Sequence, residues 1–295
     1  MIYKRKPVDW IFDILNYTVM VLLILVTLYP FWNIFVSSIS SSAAISSKGA
    51  MLIWPEGINL ESYQLVFKNP MILSGYKNTL FLVAVGTSLN MIMTVFGAYA
   101  LSRKWLMGRK YMMLMLTVTM FFGGGLIPSY LLVRQLGLYD SLWAVILPGA
   151  VSTWNVIMMR TYFMGIPDSL EESALIDGAN DFHILFRIII PVSTPIMAVM
   201  ILFYAVGHWN AWFSASIYIR NQELFPLQLV LRRILITGAR LNEFDLGYIS
   251  GAEKQIVFKG LKYATVIVAT VPILLVYPFI QRYFVKGIMI GSLKG

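Results

Sequence analysis

An all-α membrane protein with six transmembrane helices is the fold class the sequence predicts, and three observations predict it. Of 295 residues, 58% are hydrophobic and only 13% are charged, far from the balance of a soluble domain. The charges cluster, leaving uncharged windows at 14–47, 78–102, 111–133, 141–159, 188–219 and 263–281. Each window is about 18 residues or longer, enough for a helix rising ~1.5 Å per residue to cross a ~30 Å hydrocarbon core.

The first span, 12–38, follows a basic start at Lys4, Arg5 and Lys6. Its apolar run is too long for a cleavable signal peptide, and "SSISSSAAISS" offers no cleavage site behind a short core, so it reads as a retained helix. The second span covers 78–102, and the third, 111–134, is interrupted by Gly123, Gly124 and Gly125 with Pro128 beyond. Unwinding in lipid needs neighbouring helices or a polar cavity to satisfy the freed backbone, which makes Gly124 a pathway candidate; close packing through small residues explains the glycines almost as well. The fourth span, 141–162, carries Asn155, a second candidate. In the fifth, 191–219, Trp209, Asn210 and Trp212 lie about 18–21 residues past Pro191, roughly 27–32 Å along a helix. That depth favours an interfacial aromatic belt, and it leaves open a role for these side chains at an outer gate. The sixth span is 263–283, and no internal repeat or second soluble domain is evident, so 1–295 reads as a single transmembrane domain.

Arg103, Lys104, Arg109 and Lys110 crowd one short loop, and with the N-terminus, the polar loop 166–190 and the C-terminal tail they define one side. Short-loop lysines and arginines mark the cytoplasmic face, so both termini are expected inside a multi-pass protein of the cytoplasmic (inner) membrane. The net charge of +9 belongs to these flanks and does not point to nucleic acid. There is no cysteine, which excludes disulfide frameworks and thiolate metal sites.

No Asp, Glu, Lys or Arg lies inside the six windows, whereas a transporter driven by an ion gradient keeps such groups near the midplane. His208 is the one ionisable side chain there, and a lone histidine reads as a hydrogen-bonded packing residue. Neither HExxH nor a pair of membrane aspartates is present, so no catalytic residue is assigned. A phosphate-cradling loop needs Gly-Lys-Ser/Thr, yet the dipeptide Gly-Lys does not occur. If transport is driven by ATP, the ATPase must be a separate polypeptide that grips this one from the cytoplasm.

The polar loop has a compact helix grammar in "IPDSLEESALIDGAND". Asp168 can cap with Glu171 three residues on, Leu170, Ala174 and Leu175 form a small apolar face, and Gly178 can take the left-handed conformation that ends a helix. A second helix starts near Asn180 or Asp181, runs through "FHILFRIII" and is expected to break at Pro191. Physical reasoning alone leaves an ordinary amphipathic surface helix as an equal reading.

Glu172, Ala174, Gly178, Ile188 and Pro191 stand at the spacings of the EAA loop of ABC importer permeases, with Ser173 and Ile190 as mild departures. "NTLFLVAVGTSLNMIMTVFGAYALSR", "GGGLIPSYLLVRQLGLYDSLWAVILPG", "WNAWF" and "QRYFVKGIMIGSLKG" also resemble carbohydrate-type permeases, in particular the smaller permease of maltose importers and its alginate or pectin relatives. The resemblance implies the ABC type I importer permease fold with a cytoplasmic coupling helix that docks in a cleft of an ATPase subunit. Glu171, Glu172, Ala174, Asp177, Gly178 and Pro191 would form that coupling loop. The tail Gly291, Ser292, Leu293, Lys294 and Gly295 would reach between the ATPase subunits, with a frayed terminus as the alternative. Implied partners are a second homologous permease, two ATP-binding subunits that hold ATP and Mg, and an extracytoplasmic solute-binding protein. No cofactor or metal is expected in this chain, which would be a transport subunit and no enzyme.

The outer loops are 39–77 and 220–262, and "FPLQLVLRRILI" in the second reads as an amphipathic helix. Arg232, Arg233 and Arg240, with Lys254, Lys259 and Lys262 nearby, would make a positive mouth that concentrates anionic solutes, or would orient the loop against lipid headgroups or the binding protein. The expected cargo is an oligosaccharide, with uronic-acid chains such as alginate or pectin fragments as the sharper hypothesis. A noncarbohydrate ABC permease and an ion-coupled transporter are the alternatives.

Overall fold

The computed structural model describes residues 7–237, 258–275 and 278, and every regular element among the described residues is helical. The chain divides into two compact units, Met1–Asn69 with Ile234–Val271 and Pro70–Arg233 with Pro272–Gly295.

In the first unit, α1 (Pro7–Ser38) leaves its large apolar side chains from Trp10 to Phe31 exposed, the surface of a helix solvated by hydrocarbon. Its threonines do not stand bare: Thr18 and Thr27 donate to Ile14 O (2.8 Å) and Leu23 O (2.7 Å). At its end Trp32 Nε1 donates to Ile53 O (2.8 Å) and Asn33 Nδ2 to Leu52 O (2.9 Å). Ser41 caps α2 (Ser42–Lys48) by accepting from Ala44 N. Beyond it, α3 (Glu61–Lys68) is held to α1 by Tyr63 Oη and Ser38 Oγ, 2.7 Å apart.

The second unit starts with α4 (Pro70–Ser102), 33 residues long and containing a wide π turn at Leu82–Gly86. Two expected spans are sharply bent. α5 (Arg109–Phe121) and α6 (Leu126–Gln135) meet at 113° across the glycine triplet, where Gly125 has φ +83°. The expected span 141–162 is divided into α7 (Trp143–Ile146), a 3₁₀ turn at Leu147–Gly149 and α8 (Thr153–Met164). Pro148 has no N–H for a helical ladder, and Ser152 starts the new helix by accepting from Asn155 N.

α9 (Asp168–Ile176) leads through Gly178 to α10 (Asp181–Val192), which meets α11 (Thr194–Trp209) at 85°. The break expected at Pro191 therefore falls two residues later, at Ser193. The reason lies in Pro195, which cannot donate to the Pro191 carbonyl; Thr194 Oγ1 donates to that carbonyl instead, at 2.7 Å. The expected span 191–219 divides again at Asn210, before α12 (Trp212–Tyr218). α13 (Leu227–Thr237) is the helix expected from "FPLQLVLRRILI". Three described helices, α1, α4 and Phe258–Leu275, are long and apolar enough to cross a membrane, and the two bent pairs bring the number to five.

One cluster joins the membrane helices to the polar loop. Met91, Val95 and Ala98 of α4, Met159 and Phe163 of α8, and Met200 of α11 share a buried core with Ala174, Ile184, Leu185 and Ile189. Above it Gly86 lies so close to α11 that a Cβ there would sit 2.4 Å from His208 Nε2. Gly86→Ala is expected to destabilise the protein by about 1–3 kcal/mol through this overpacking. Gly97→Ala, on the same helix with nothing within 4 Å of a Cβ, should be neutral or slightly stabilising. Thermal unfolding of the two variants checks this; equal midpoints would show that His208 does not press on Gly86.

Candidate coupling site and membrane polar network

The polar loop builds a rigid helix–turn–helix. Asp177 caps α9 at its C-terminus, Gly178 N–H donates to Leu175 O (3.0 Å) and Ala179 N–H to Ala174 O (2.9 Å). This is a Schellman closure, and it requires the left-handed backbone that Gly178 adopts at φ +78°. Asn180 then caps α10, its Oδ1 accepting from His183 N at 2.9 Å. Both features were legible in the sequence. The expected cap at the other end is corrected: Pro167 occupies the N-cap with no side-chain bond, and Asp168 already belongs to the first helical turn.

Asp168 and Glu171 are instead engaged by two consecutive cations at the end of α4. Lys104 Nζ lies 2.6 Å from Asp168 Oδ2 in an exposed bridge, whereas Arg103 pairs with Glu171 in a site where their side chains are only 8% and 18% exposed. The Arg103 guanidinium also stacks 4.4 Å from the Tyr99 ring centroid, and its Nε donates to Ser102 Oγ at 3.0 Å. Burial pulls the Arg103 guanidinium below its ordinary pKa, with Tyr99, Asp168 and Asp181 opposing the shift; an arginine stays charged regardless. The hydrogen bond and charge of Lys104 hold the Asp168 carboxyl below the usual carboxylate range, so that bridge persists at neutral pH and is lost only as pH falls through the lowered value.

Among the expected coupling residues, Ala174 is buried in the core, Glu171 is taken up by Arg103, and Glu172, Asp177 and Gly178 are exposed. Glu172 lines a cleft of about 300 Å³ together with Arg103, Lys104, Trp105, Pro167 and Leu175. Pro191 supplies the carbonyl that Thr194 satisfies. The tail Gly291–Gly295 and Arg240 lie outside the described residues.

A second polar cluster sits in the apolar interior. His208 Nε2 is 2.6 Å from Asn90 Oδ1, and Asn90 Nδ2 donates to Gly149 O (2.7 Å) and Ala150 O (2.9 Å). Because the Asn90 amide nitrogen faces carbonyls, its oxygen accepts from His208, which places the imidazole proton on Nε2. Tyr204 Oη bonds Thr94 Oγ1 (2.7 Å) and accepts from Ser152 N (3.4 Å). α4 and α11 thus satisfy the backbone that unwinds between α7 and α8. Asn90, Tyr204, His208 and Asn210 line a cavity of about 370 Å³ there. The packing role expected for His208 is what these bonds show.

The expected pathway residues differ in their surroundings. Asn155 is buried, Gly124 is exposed in the α5–α6 break, and Trp209 is buried with its ring 6.5 Å from that of Tyr76. Asn210 spends its amide on Val206 O at 3.0 Å. Trp212 meets one of the expected loop arginines, the Arg232 guanidinium lying 3.8 Å over its ring, and Arg233 lies 5.1 Å over Phe225. Two anchors position α13 and α12. Asn78 Nδ2 donates to Glu223 O and Phe225 O, and Thr79 Oγ1 accepts from Leu227 N. Asp140 Oδ1 accepts from Arg220 N and Asn221 N, both at 2.8 Å. Asn90, Arg103 and Lys104 were not singled out from the sequence as site residues. The available signals were an amide in an apolar window and adjacent cations opposite carboxylates spaced by three.

These features define a polytopic helical membrane protein with a polar helix–turn–helix packed on its spans. No family model matches the chain. It is 39% identical over 287 residues to the polygalacturonan/rhamnogalacturonan transport system permease protein YtcP of Bacillus subtilis (strain 168), covering 97% of this chain and 99% of that protein. It is 38% identical over 288 residues to protein LplC of the same organism, covering 97% and 95%. Its structure matches that of a chain in the crystal structure of a bacterial ABC transporter involved in the import of the acidic polysaccharide alginate. That match has a TM-score of 0.86 and 33% identity over 96% of this chain and 99% of the other. The chain belongs to the permease family of carbohydrate ABC transporters, as the resemblance implied, and the ion-coupled and noncarbohydrate alternatives fall away.

The left-handed turn makes a specific prediction. Nothing lies within 4 Å of a Cβ at Gly178, so any substitution there is opposed by backbone conformation alone. Gly178→Val should cost about 1–2 kcal/mol and misplace the turn, while Gly178→Asn, which tolerates that conformation, should remain close to wild type. Thermal midpoints of the purified variants read this directly, and equal losses for Val and Asn would refute it.

Proposed function

We propose that this chain is one of two permease subunits of an importer that carries acidic oligosaccharides across the cytoplasmic membrane. Two separate ATP-binding subunits holding ATP and Mg drive it, and an extracytoplasmic binding protein delivers the sugar. The observation that carries the substrate class is the fold match along nearly the whole chain to an alginate importer, together with a relative named for polygalacturonan transport. Arg232, exposed and 3.8 Å over the Trp212 ring, is the chemistry such a cargo would use: a guanidinium beside an indole suits a carboxylate-bearing sugar.

In this reading α9, Gly178 and α10 are the EAA coupling loop, and Glu172 faces the ATPase. The α7–α8 stretch completes six spans, both termini are cytoplasmic, and the tail Gly291–Gly295 reaches the ATPase pair. The α5–α6 break at Gly124, together with Asn155, Trp209 and Asn210, borders the route of the sugar.

The test is ATPase stimulation of the reconstituted complex by binding protein loaded with oligouronates or with neutral malto-oligosaccharides. Oligouronates should stimulate more strongly, and Arg232→Gln should weaken that response by about ten-fold at low salt and less at high salt, since surface attraction is screened within ~10 Å at 0.1 M. Stronger stimulation by the neutral sugars would overturn the acidic cargo. Uptake driven by an ion gradient without ATP would overturn the importer assembly.

A further inference from the structure

We propose that Arg103 and Glu171 form an internal clamp that sets the orientation of α9, leaving Glu172 as the carboxylate presented to the ATPase subunit. The inference rests on the coupling reading of α9 and divides its two adjacent glutamates by task. Consecutive cations, Arg103 and Lys104, face Asp168 and Glu171, which stand three residues apart on the first turn of α9 and so share one face. Of the two bridges, the Lys104 pair is open to water and contributes little. The Arg103 pair is nearly closed off from solvent. Arg103 is held from several sides, by Glu171, by the Tyr99 ring and by Ser102 Oγ, while Arg109 Nη1 donates to its carbonyl at 3.4 Å. A planar fork fixed in this way admits one direction for the carboxylate. Both glutamates line the cleft, but Glu171 cannot meet a partner without leaving its own charge site, whereas Glu172, one residue on and about 100° around the helix, is exposed. Arg103 and Glu171 are positioning residues that act through α9.

The native chain has no cysteine, so nitroxides at Met107→Cys and Ser169→Cys report the distance between the α4–α5 loop and α9 in the purified complex. A single narrow distribution is expected in the parent. Arg103→Gln or Glu171→Gln should widen it about two-fold or more, while Glu172→Gln leaves it unchanged. Stimulated ATPase should fall by about ten-fold in Arg103→Gln and in Glu171→Gln, and the double variant should lose no more than either single one, because the pair acts as a unit. Glu172→Gln should instead lower the yield of copurified ATPase subunit. Where a single variant fails to assemble, the neutral pair Arg103→Gln/Glu171→Gln buries no lone charge and carries the same distance measurement, with the wide distribution expected. An unchanged distribution in that pair, or loss of the ATPase subunit from Glu171→Gln with the distance intact, would overturn the clamp. A widened distribution with undiminished stimulation would instead overturn the coupling role of α9 and the inference resting on it.

Discussion

A backbone group freed inside hydrocarbon has no water to turn to, and the arrangement of the second unit follows from that constraint. Two of the breaks, at Gly149–Ser152 and at Ser193, fall where proline removes a donor, and polar side chains come to both. Between α7 and α8 the exposed carbonyls of Gly149 and Ala150 are taken by Asn90 from α4, and Ser152 N by Tyr204 from α11. At Ser193 the carbonyl of Pro191 is taken by Thr194. Asn90 is itself completed by His208, which fits only because Gly86 has no side chain. The membrane interior is thus polar where the backbone unwinds, and no ion pair lies there among the described residues.

Charge is kept at the ends of the spans, where ions are hydrated or paired. Arg103 and Lys104 close α4 and engage the first turn of α9, so a feature readable as a topology signal also serves as a fastening. Removing one partner of the buried pair would leave the other charge stranded, at a cost of about 3–5 kcal/mol. Replacing both at once need not cost as much, which distinguishes an orienting pair from a source of net stability.

The parts visible in the sequence are those specified locally. Uncharged windows announce the apolar spans, Gly178 announces the left-handed turn, and Asn180 announces the start of α10, since each depends on neighbours within a few residues. What escaped depends on distant partners or on which of several prolines governs. The Asn90–His208 bond joins positions 118 residues apart, and nothing in either window names the other. Asp168 has the grammar of an N-cap, yet Lys104, 64 residues away, takes its carboxylate, and Pro167 occupies the cap position. Pro191 looked like the breaker, while Pro195 removes the next rung of the ladder and moves the bend to Ser193. The division of 141–162 at Pro148 could have been weighed from sequence; its satisfaction by α4 and α11 could not.

The same bonds connect the polar loop to the interior. α10 packs Ile184, Leu185 and Ile189 into the core that also holds Met91, Val95 and Met200, so displacement of the loop must shift that core or turn about the bend at Ser193. The bend is the softer element by its chemistry: Ser193 Oγ is buried with no hydrogen-bond partner among the described residues, and Pro195 has already removed one rung of helix. Beyond the bend, α11 carries Tyr204 and His208 on one face, four residues apart. These two side chains bond Thr94 and Asn90 of α4, and they hold the unwound stretch at Gly149–Ser152, Tyr204 directly and His208 through Asn90. Rotation of α11 about the bend therefore strains both anchors together, because close-packed helices repack between discrete arrangements more readily than they deform. On the proposed coupling reading, motion received at α9 reaches the polar cavity beside Asn90 through one bend and two hydrogen-bonded side chains.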